Sequence, residues 1–145
     1  MTVSWGVTFD CESPAVVAAF WKTALGYVDG AVPEGFATWR EWFIACDVPE
    51  TEWDDGASID DPTGVGPRIS FLKVPERKTV KNRIHLDVKV SGGRSWPPAE
   101  RAELIRATAD QLTAAGATTI QAHRIRGELD HIVLADPEGN EFCVV

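Results

Sequence analysis

His85 and Asp87 stand two residues apart in Arg83-Ile84-His85-Leu86-Asp87-Val88-Lys89-Val90. On an extended strand that spacing puts imidazole and carboxylate on one face with Arg83 and Lys89, while Ile84, Leu86, Val88 and Val90 fill the other. An imidazole titrates near neutrality, so a His–Asp pair suits acid–base work or hydrogen bonding to a ligand. The competing assignment is a structural histidine tied to Asp87, Arg83 or backbone. If the apolar face packs on a helix, His85 and Asp87 line a cavity, which is where a ligand site needs polar groups.

Other residues bear chemistry more weakly. His131 follows Asp130 at the start of a strand and reads as a satisfied edge histidine, and His123 precedes Arg124 and Arg126 in a solvated turn. Lys78, Lys81 and Arg83 form a basic cluster, which either pairs with the acidic loop of residues 50–61 or makes an anion-binding rim. Cys11, Cys46 and Cys143 are odd in number and far apart, which argues against a disulfide framework or a thiolate zinc site and suits a reducing cytoplasm. Six tryptophans either fill a core or line an aromatic pocket. Three of them, Trp39, Trp42 and Trp53, fall within residues 36–53. Read as a strand, residues 36–48 put Trp39 and Trp42 on opposite faces, with Phe36, Thr38, Arg40 and Ile44 beside Trp42. Trp53 lies in the loop that follows and is placed at a cavity mouth.

The composition bounds the partners. At 145 residues the default is one domain, long enough for a real core. A net charge of −8 repels phosphate backbones and excludes nucleic acid as a partner. No apolar run approaches the roughly 20 residues of a membrane span, so no membrane association is expected. The start, MTVSWGVTFD, lacks the basic residues and cleavage site of a signal peptide, and the expected location is the cytoplasm.

The elements that would position these side chains come in two similar sets. Val3 to Asp10 alternates as a strand with one apolar face. Ser13-Pro14 starts a helix through Leu25, with Gly26 as its cap. Tyr27 to Val32 and Phe36 to Val48 read as strands, the acidic Gly/Pro-containing stretch from Pro49 to Pro67 as a long loop, and Arg68 to Val74 as a strand. In the second set Arg83 to Val90 is a strand, and Pro97-Pro98 opens a helix to about Ala115 with Ile105, Ala109 and Leu112 on one stripe, widened by Ala102, Leu104 and Ala115. Ala117 to His123, Leu129 to Ala135 and Phe142 to Val145 are strands. Asp61-Pro62-Thr63-Gly64 and Asp136-Pro137-Glu138-Gly139 punctuate the two sets alike with turn chemistry. The expected fold is therefore α+β: a single domain, 1–145, of two βαβββ modules at about 3–74 and 83–145. They are expected to form an eight-stranded, half-open barrel around one cavity, helices outside.

With those elements placed, the chain resembles the vicinal oxygen chelate superfamily, the glyoxalase and bleomycin-resistance fold. The resemblance rests on Asp10, Pro14-Ala15, Phe20-Trp21 and Ala24-Leu25-Gly26-Tyr27 for the first strand and helix, and on Asp136-Pro137-Glu138-Gly139-Asn140-Glu141-Phe142 for the last hairpin. Val74-Pro75-Glu76, Lys78 and Lys81-Asn82-Arg83-Ile84-His85-Leu86-Asp87 look like its bacterial glyoxalase-like domain subgroup. The resemblance implies four cavity-facing ligand positions, which fall near Gly6, at about Ser70, at His85 and at Cys143, with Glu141 two residues earlier on the face of Cys143. Glycine has no ligating side chain and serine is a poor ligand, so a native metal and other cofactors are not expected. If a metal is present, His85 and Glu141 would hold it.

What the resemblance implies for function is the binding of a small organic molecule. An enzyme of this kind would do lyase or isomerase chemistry on a carbonyl-type substrate, with His85 and Glu141 catalytic and Asp87, Trp42, Trp53, Cys143 and Ser70 contacting ligand. The alternative is a non-catalytic, sequestering binder of the bleomycin-resistance type. Glyoxalase I activity proper is disfavoured for want of ligands. A homodimer is expected, because long edge strands and helices leave apolar surface to cover.

Overall fold

The computed structural model describes Met1–Val145. The chain divides into two compact units, one of Met1–Lys22 with Gly26–Arg77, the other of Thr23–Leu25 with Lys78–Val145. The fold is α+β, with three helices and eight strands in two sheets of four.

In the first unit β1 (Val7–Cys11) leads to α1 (Pro14–Leu25), then β2 (Val28–Asp29), α2 (Trp39–Ala45), β3 (Gly56–Asp60) and β4 (Ile69–Lys73). The strand order is β1-β4-β3-β2. β1 lies parallel to β4, with Val7 opposite Ile69, and the other pairs are antiparallel. Proline at the first turn and Gly26 in the left-handed region (φ 68°) bound α1 as its sequence predicts. Ile59, Ile69 and Phe71 are buried on the sheet, and Val17, Phe20 and Trp21 on α1. Phe9 joins two of these, with its ring 5.2 Å from Trp21 and 5.5 Å from Phe71.

Three expectations need correction here. The strand expected over residues 36–48 is the helix α2. Thr38 is its N-cap: its Oγ1 accepts the Glu41 N–H at 3.2 Å, and Glu41 Oε2 accepts the Ala37 N–H at 2.9 Å. This is a variant of the Thr-x-x-Glu capping box, with Glu41 taking the N–H one residue before the cap. At the other end Asp47 takes a left-handed conformation (φ 55°), and the Val48 N–H reaches the Phe43 carbonyl at 2.9 Å, closing the helix. The alternation that suggested a strand set Thr38 and Arg40 on one face with Phe36, Trp42 and Ile44. The helical spacing of Trp39, Trp42 and Phe43 is the pattern that packs. Second, the expected long loop holds a 3-10 turn at Glu50–Glu52 and the strand β3. Third, β1 starts at Val7, leaving Val3 and Trp5 exposed.

The second unit runs β5 (Asp87–Val88), α3 (Pro98–Ala114), β6 (Thr118–Ile125), β7 (Glu128–Ala135) and β8 (Glu141–Val144), in the order β5-β8-β7-β6. β5 lies parallel to β8, with Asp87 opposite Cys143. The expected strand over residues 83–90 is thus only two residues long, and Ile84 is exposed. α3 packs on β6, β7 and β8. Ile105, Ala109 and Leu112 are buried as their spacing predicts, and Ala102 with them, whereas Leu104 is exposed. Phe142, Leu134, Leu129 and Val144 complete the core. A Phe or Leu so buried contributes about 1.5–3 kcal/mol against exposure.

The repeated turn sequence does the same work twice. Asp61 Oδ1 and Oδ2 accept the backbone N–H groups of Thr63 and Gly66, at 2.8 and 2.6 Å, between β3 and β4. Asp136 Oδ1 accepts those of Glu138 and Asn140, both at 2.9 Å, between β7 and β8. The fourth residue of each motif, Gly64 (φ 72°) and Gly139 (φ 86°), takes the left-handed turn. No helix is long and apolar enough to cross a membrane.

Candidate functional site

Each unit carries a cleft, and the sequence-derived residues divide between them. The first unit's cleft measures about 700 Å³. One wall is aromatic: Trp39, Trp42 and Phe43 from α2, and Trp53 from the turn beyond it. The α2 helix brings Trp39 and Trp42 to one side, where a strand would have parted them; their rings meet edge to face at 5.7 Å. Phe43 stacks on Trp53 at 5.6 Å with 13° between planes. The indole N–H groups of Trp39 and Trp53 are satisfied by backbone. Trp39 Nε1 donates to the Gly30 carbonyl at 3.3 Å and Trp53 Nε1 to that of Val48 at 3.1 Å, which fixes both rings. The Arg40 guanidinium stands 5.9 Å over the Trp53 ring.

The sheet supplies a second, polar lining. Thr8 on β1 and Ser58 on β3 both lie in register with Ser70 on β4, so three hydroxyls form a row across adjacent strands, all lining the cleft. Residues 69 and 71, alternating with Ser70, are the buried ones. At its edge Arg68 grips Asp60, Nε to Oδ1 at 2.7 Å and Nη2 to Oδ2 at 2.7 Å. The hydrogen bond from Arg68, and one from the Ala31 N–H, hold the Asp60 carboxyl below its usual range.

The second unit's cleft, about 740 Å³, is lined by His85, Asp87 and Cys143 among others. His85 Nε2 lies 3.7 Å from Asp87 Oδ1, and both side chains are about half exposed, at 49% and 51%. Cys143 is buried, at 7% exposure. Burial first, then the nearby Asp87 charge, push its thiol pKa up, with Lys81 opposing. One ligand atom from each of His85, Asp87 and Cys143 lies within 4.8 Å of the other two. Imidazole, carboxylate and thiol are a chemically sound donor set for a zinc-like ion, which would make the thiol a thiolate and polarise a bound oxygen. Glu141 is not among these donors. Its carboxylate pairs with Lys81, and its N–H donates to Asn82 Oδ1 at 3.1 Å. The side chains that gather here are those of His85, Asp87 and Cys143, and Glu141, expected to join His85, is paired with Lys81 instead. Ser70 stands in the first unit's hydroxyl row, and Gly6 offers no side chain to either cleft.

A further cluster in the second cleft had no counterpart among the expected site residues. Asp130 is buried, and Arg94 binds it with two parallel hydrogen bonds, Nε to Oδ1 at 2.7 Å and Nη2 to Oδ2 at 2.9 Å. His131 Nδ1 lies 2.8 Å from Asp130 Oδ2. The Arg94 hydrogen bond, then that of His131, hold the Asp130 carboxyl far below the usual carboxylate range. The His131 ring stacks on that of His123, its cross-strand neighbour, at 4.5 Å. Arg101 is buried on α3 and gives Nη2 to the Asp130 carbonyl at 3.1 Å. Its position was readable: Arg101 is four residues before Ile105, on the buried stripe of α3, and a charge there is out of pattern.

The sequence profile described as glyoxalase-like domain matches residues 6–145. No curated protein matches the sequence. Among solved structures, a glyoxalase/bleomycin resistance protein/dioxygenase family enzyme from Burkholderia phytofirmans PsJN aligns with TM-score 0.60 at 17% identity, covering 95% of this chain and 93% of that one. The fosfomycin resistance protein FosX from Mesorhizobium loti aligns with TM-score 0.62 at 9% identity, over 99% of this chain and 90% of its own. FosX from Listeria monocytogenes gives 0.63 at 11%, over 99% and 92%. At such identities these likenesses bear on fold alone.

Proposed function

The chain belongs to the glyoxalase-like domain family, within the vicinal oxygen chelate superfamily, and from there we propose that it binds a small organic molecule with a flat, apolar portion in the first unit's cleft. The observation that carries this is the facing of Trp39, Trp42, Phe43 and Trp53 against the hydroxyl row of Thr8, Ser58 and Ser70. Fixed aromatic rings take up a planar body at little entropic cost, each desolvated contact contributing about 1 kcal/mol. The hydroxyls give or accept hydrogen bonds and so orient its polar substituents. A protective role is in keeping with this reading, and two neighbours of the fold are named fosfomycin resistance proteins. Three free cysteines suit a cytoplasmic setting.

The test is titration of a panel of planar aromatic compounds, followed by tryptophan fluorescence and calorimetry. Saturable quenching that Trp42→Ala and Trp53→Ala weaken, and His85→Ala does not, is the expected result. Quenching unchanged in both tryptophan variants would overturn the assignment.

A second reading follows from His85 and Asp87 in the other cleft. There the imidazole, beside the Asp87 carboxylate, moves a proton in lyase or isomerase chemistry on a carbonyl-type substrate. On that reading His85→Ala abolishes turnover with little loss of ligand affinity, because the imidazole acts mainly in the transition state. We propose also that the protein acts as a homodimer, in keeping with the exposed Val3 and Trp5 and the exposed Ile84. Sedimentation at tens of micromolar giving the mass of one chain would contradict it.

A further inference from the structure

Arg101 is an anomaly in the second unit. Its side chain is 8% exposed. Its Nη2 donates to the Asp130 carbonyl, yet its Nε–H has no hydrogen-bond partner. A buried guanidinium donor left unpaired costs about 1–3 kcal/mol or more, and a native fold rarely tolerates it without cause. The obvious counter-charge is already taken. Asp130 gives one oxygen to Arg94 Nε and the other to Arg94 Nη2 and His131, while Arg101 Nη2 stands off at 3.6 Å from Oδ1.

Arg101 also lines the second unit's cleft, with Lys89 and Arg94. Two side-chain carboxylates line it as well, Asp87 and the already bound Asp130, and so does Val145, the last residue of the chain. Between Lys89 and Arg94 the chain runs Ser91-Gly92-Gly93, also on the lining, with Gly93 in the left-handed region (φ 81°). Gly93 leaves the backbone open to close approach, whereas Gly92 is packed against the Trp96 indole.

We propose that the cleft of the second unit receives the oxyanion of a small ligand, a carboxylate or a phosphate group, and that the Arg101 guanidinium, on the cleft lining, is its anchoring cation. Arg94 and Lys89 supply the surrounding positive charge. Arg101 is suited to the task because it is held in place before the ligand arrives. Its guanidinium is buried, tethered at one end by the Asp130 carbonyl, and loses little freedom on binding. This site is independent of the aromatic cleft: variants of Trp42 and Trp53 leave it intact, and variants of Arg101 leave aromatic binding intact.

The test reads the arginine Nε–Hε signals by NMR while inorganic phosphate or acetate is added at constant ionic strength, with chloride as the control. The Arg101 signal, assigned through its own side chain in the wild type, is expected to shift saturably with a dissociation constant on the order of millimolar. Arg101→Lys, which keeps the charge and loses the guanidinium, weakens binding roughly tenfold, the weight of one hydrogen bond to a charged group. Arg94→Gln weakens it less. Saturation by phosphate alone or by acetate alone identifies which oxyanion the site prefers and supports it either way. If the wild-type Arg101 signal moves no further with either anion than with chloride, or if Arg101→Lys binds as tightly as wild type, the proposal fails.

Discussion

Arg94 closes a two-pronged grip on Asp130, with hydrogen bonds of 2.7 and 2.9 Å, although Arg94 is 72% exposed and Asp130 only 6%. The carboxylate is thus the buried partner, and the unit is built to keep it ionised. Asp130→Asn is expected to destabilise the protein by about 2–4 kcal/mol at pH 7, because it leaves cations without their counter-charge. The pH dependence has a fixed sign. The Asp130 pKa is lowered in the folded state, so its stabilisation is present above the unfolded value of about 4 and fades as pH falls below it. Urea unfolding should show the gap between wild type and Asp130→Asn narrowing from pH 4 towards 2. A gap that widens there contradicts the assignment.

The cap of α2 offers a cleaner perturbation. Thr38→Ala removes the acceptor for the Glu41 N–H and should cost about 1 kcal/mol. Since α2 carries Trp39, Trp42 and Phe43 into the first cleft, the same variant should alter tryptophan emission. An unchanged midpoint together with unchanged emission would show that the helix does not depend on its cap.

Cysteine labelling separates three thiols by environment. Cys46 is exposed, while Cys11 and Cys143 are buried. Iodoacetamide at pH 7.5 should modify Cys46 first. The Cys143 rate should climb only at higher pH, because burial and the Asp87 charge raise its pKa. Asp87→Asn removes one of those causes and should speed Cys143 labelling, read by mass spectrometry. Equal rates for Cys46 and Cys143 at pH 7.5 would count against this environment.

Metal content follows from the same donors. His85 and Asp87 stand half in solvent, and the Cys143 thiol resists ionisation. Less than one divalent ion per chain is expected after dialysis. Elemental analysis finding a full, dialysis-resistant complement that His85→Ala removes would reverse this expectation.

Gly30, just after β2, abuts Ser58 on β3. Its N–H donates to the Ser58 carbonyl at 2.7 Å, and a Cβ placed on it would lie 2.0 Å from Ser58 Oγ and 2.9 Å from that carbonyl oxygen. Gly30→Ala should cost about 1–3 kcal/mol. Adding Ser58→Ala should recover part of the loss, since the hydroxyl goes and the backbone oxygen stays. Thermal melts of the two single variants and the double variant measure the coupling.

The α3 helix, the strands β6 to β8 and both Asp-Pro-x-Gly turns were legible because each has its own local signal. Stripe spacing, alternation and turn residues do not need tertiary context. The α2 helix was misread although Thr38 and Glu41 announce it, because seven residues give too few turns for periodicity to outvote an accidental alternation. His85, Asp87 and Cys143 were each legible as candidates, and strand register brings Asp87 opposite Cys143. The partnership of Glu141 with Lys81 was not legible, since long-range ion pairs leave no mark in spacing. Nor was the hydroxyl row, which exists only once Thr8, Ser58 and Ser70 are brought into register from three separate strands. Arg101 carries a mark in the sequence, a charge on an apolar stripe, but it was not among the expected site residues.

The parallel pairing of first and last strands in each unit has a consequence for how the chain is made. Val7 must await Ile69, and Asp87 must await Cys143, both roughly sixty residues later in synthesis. The β6–β7 hairpin closes over its own Gly127 and needs no such delay. On the ribosome, then, the strand that emerges first in each unit is the last to find its neighbour. Until it does, β1 and β5 travel as unpaired edges, and these are the segments a chaperone would meet.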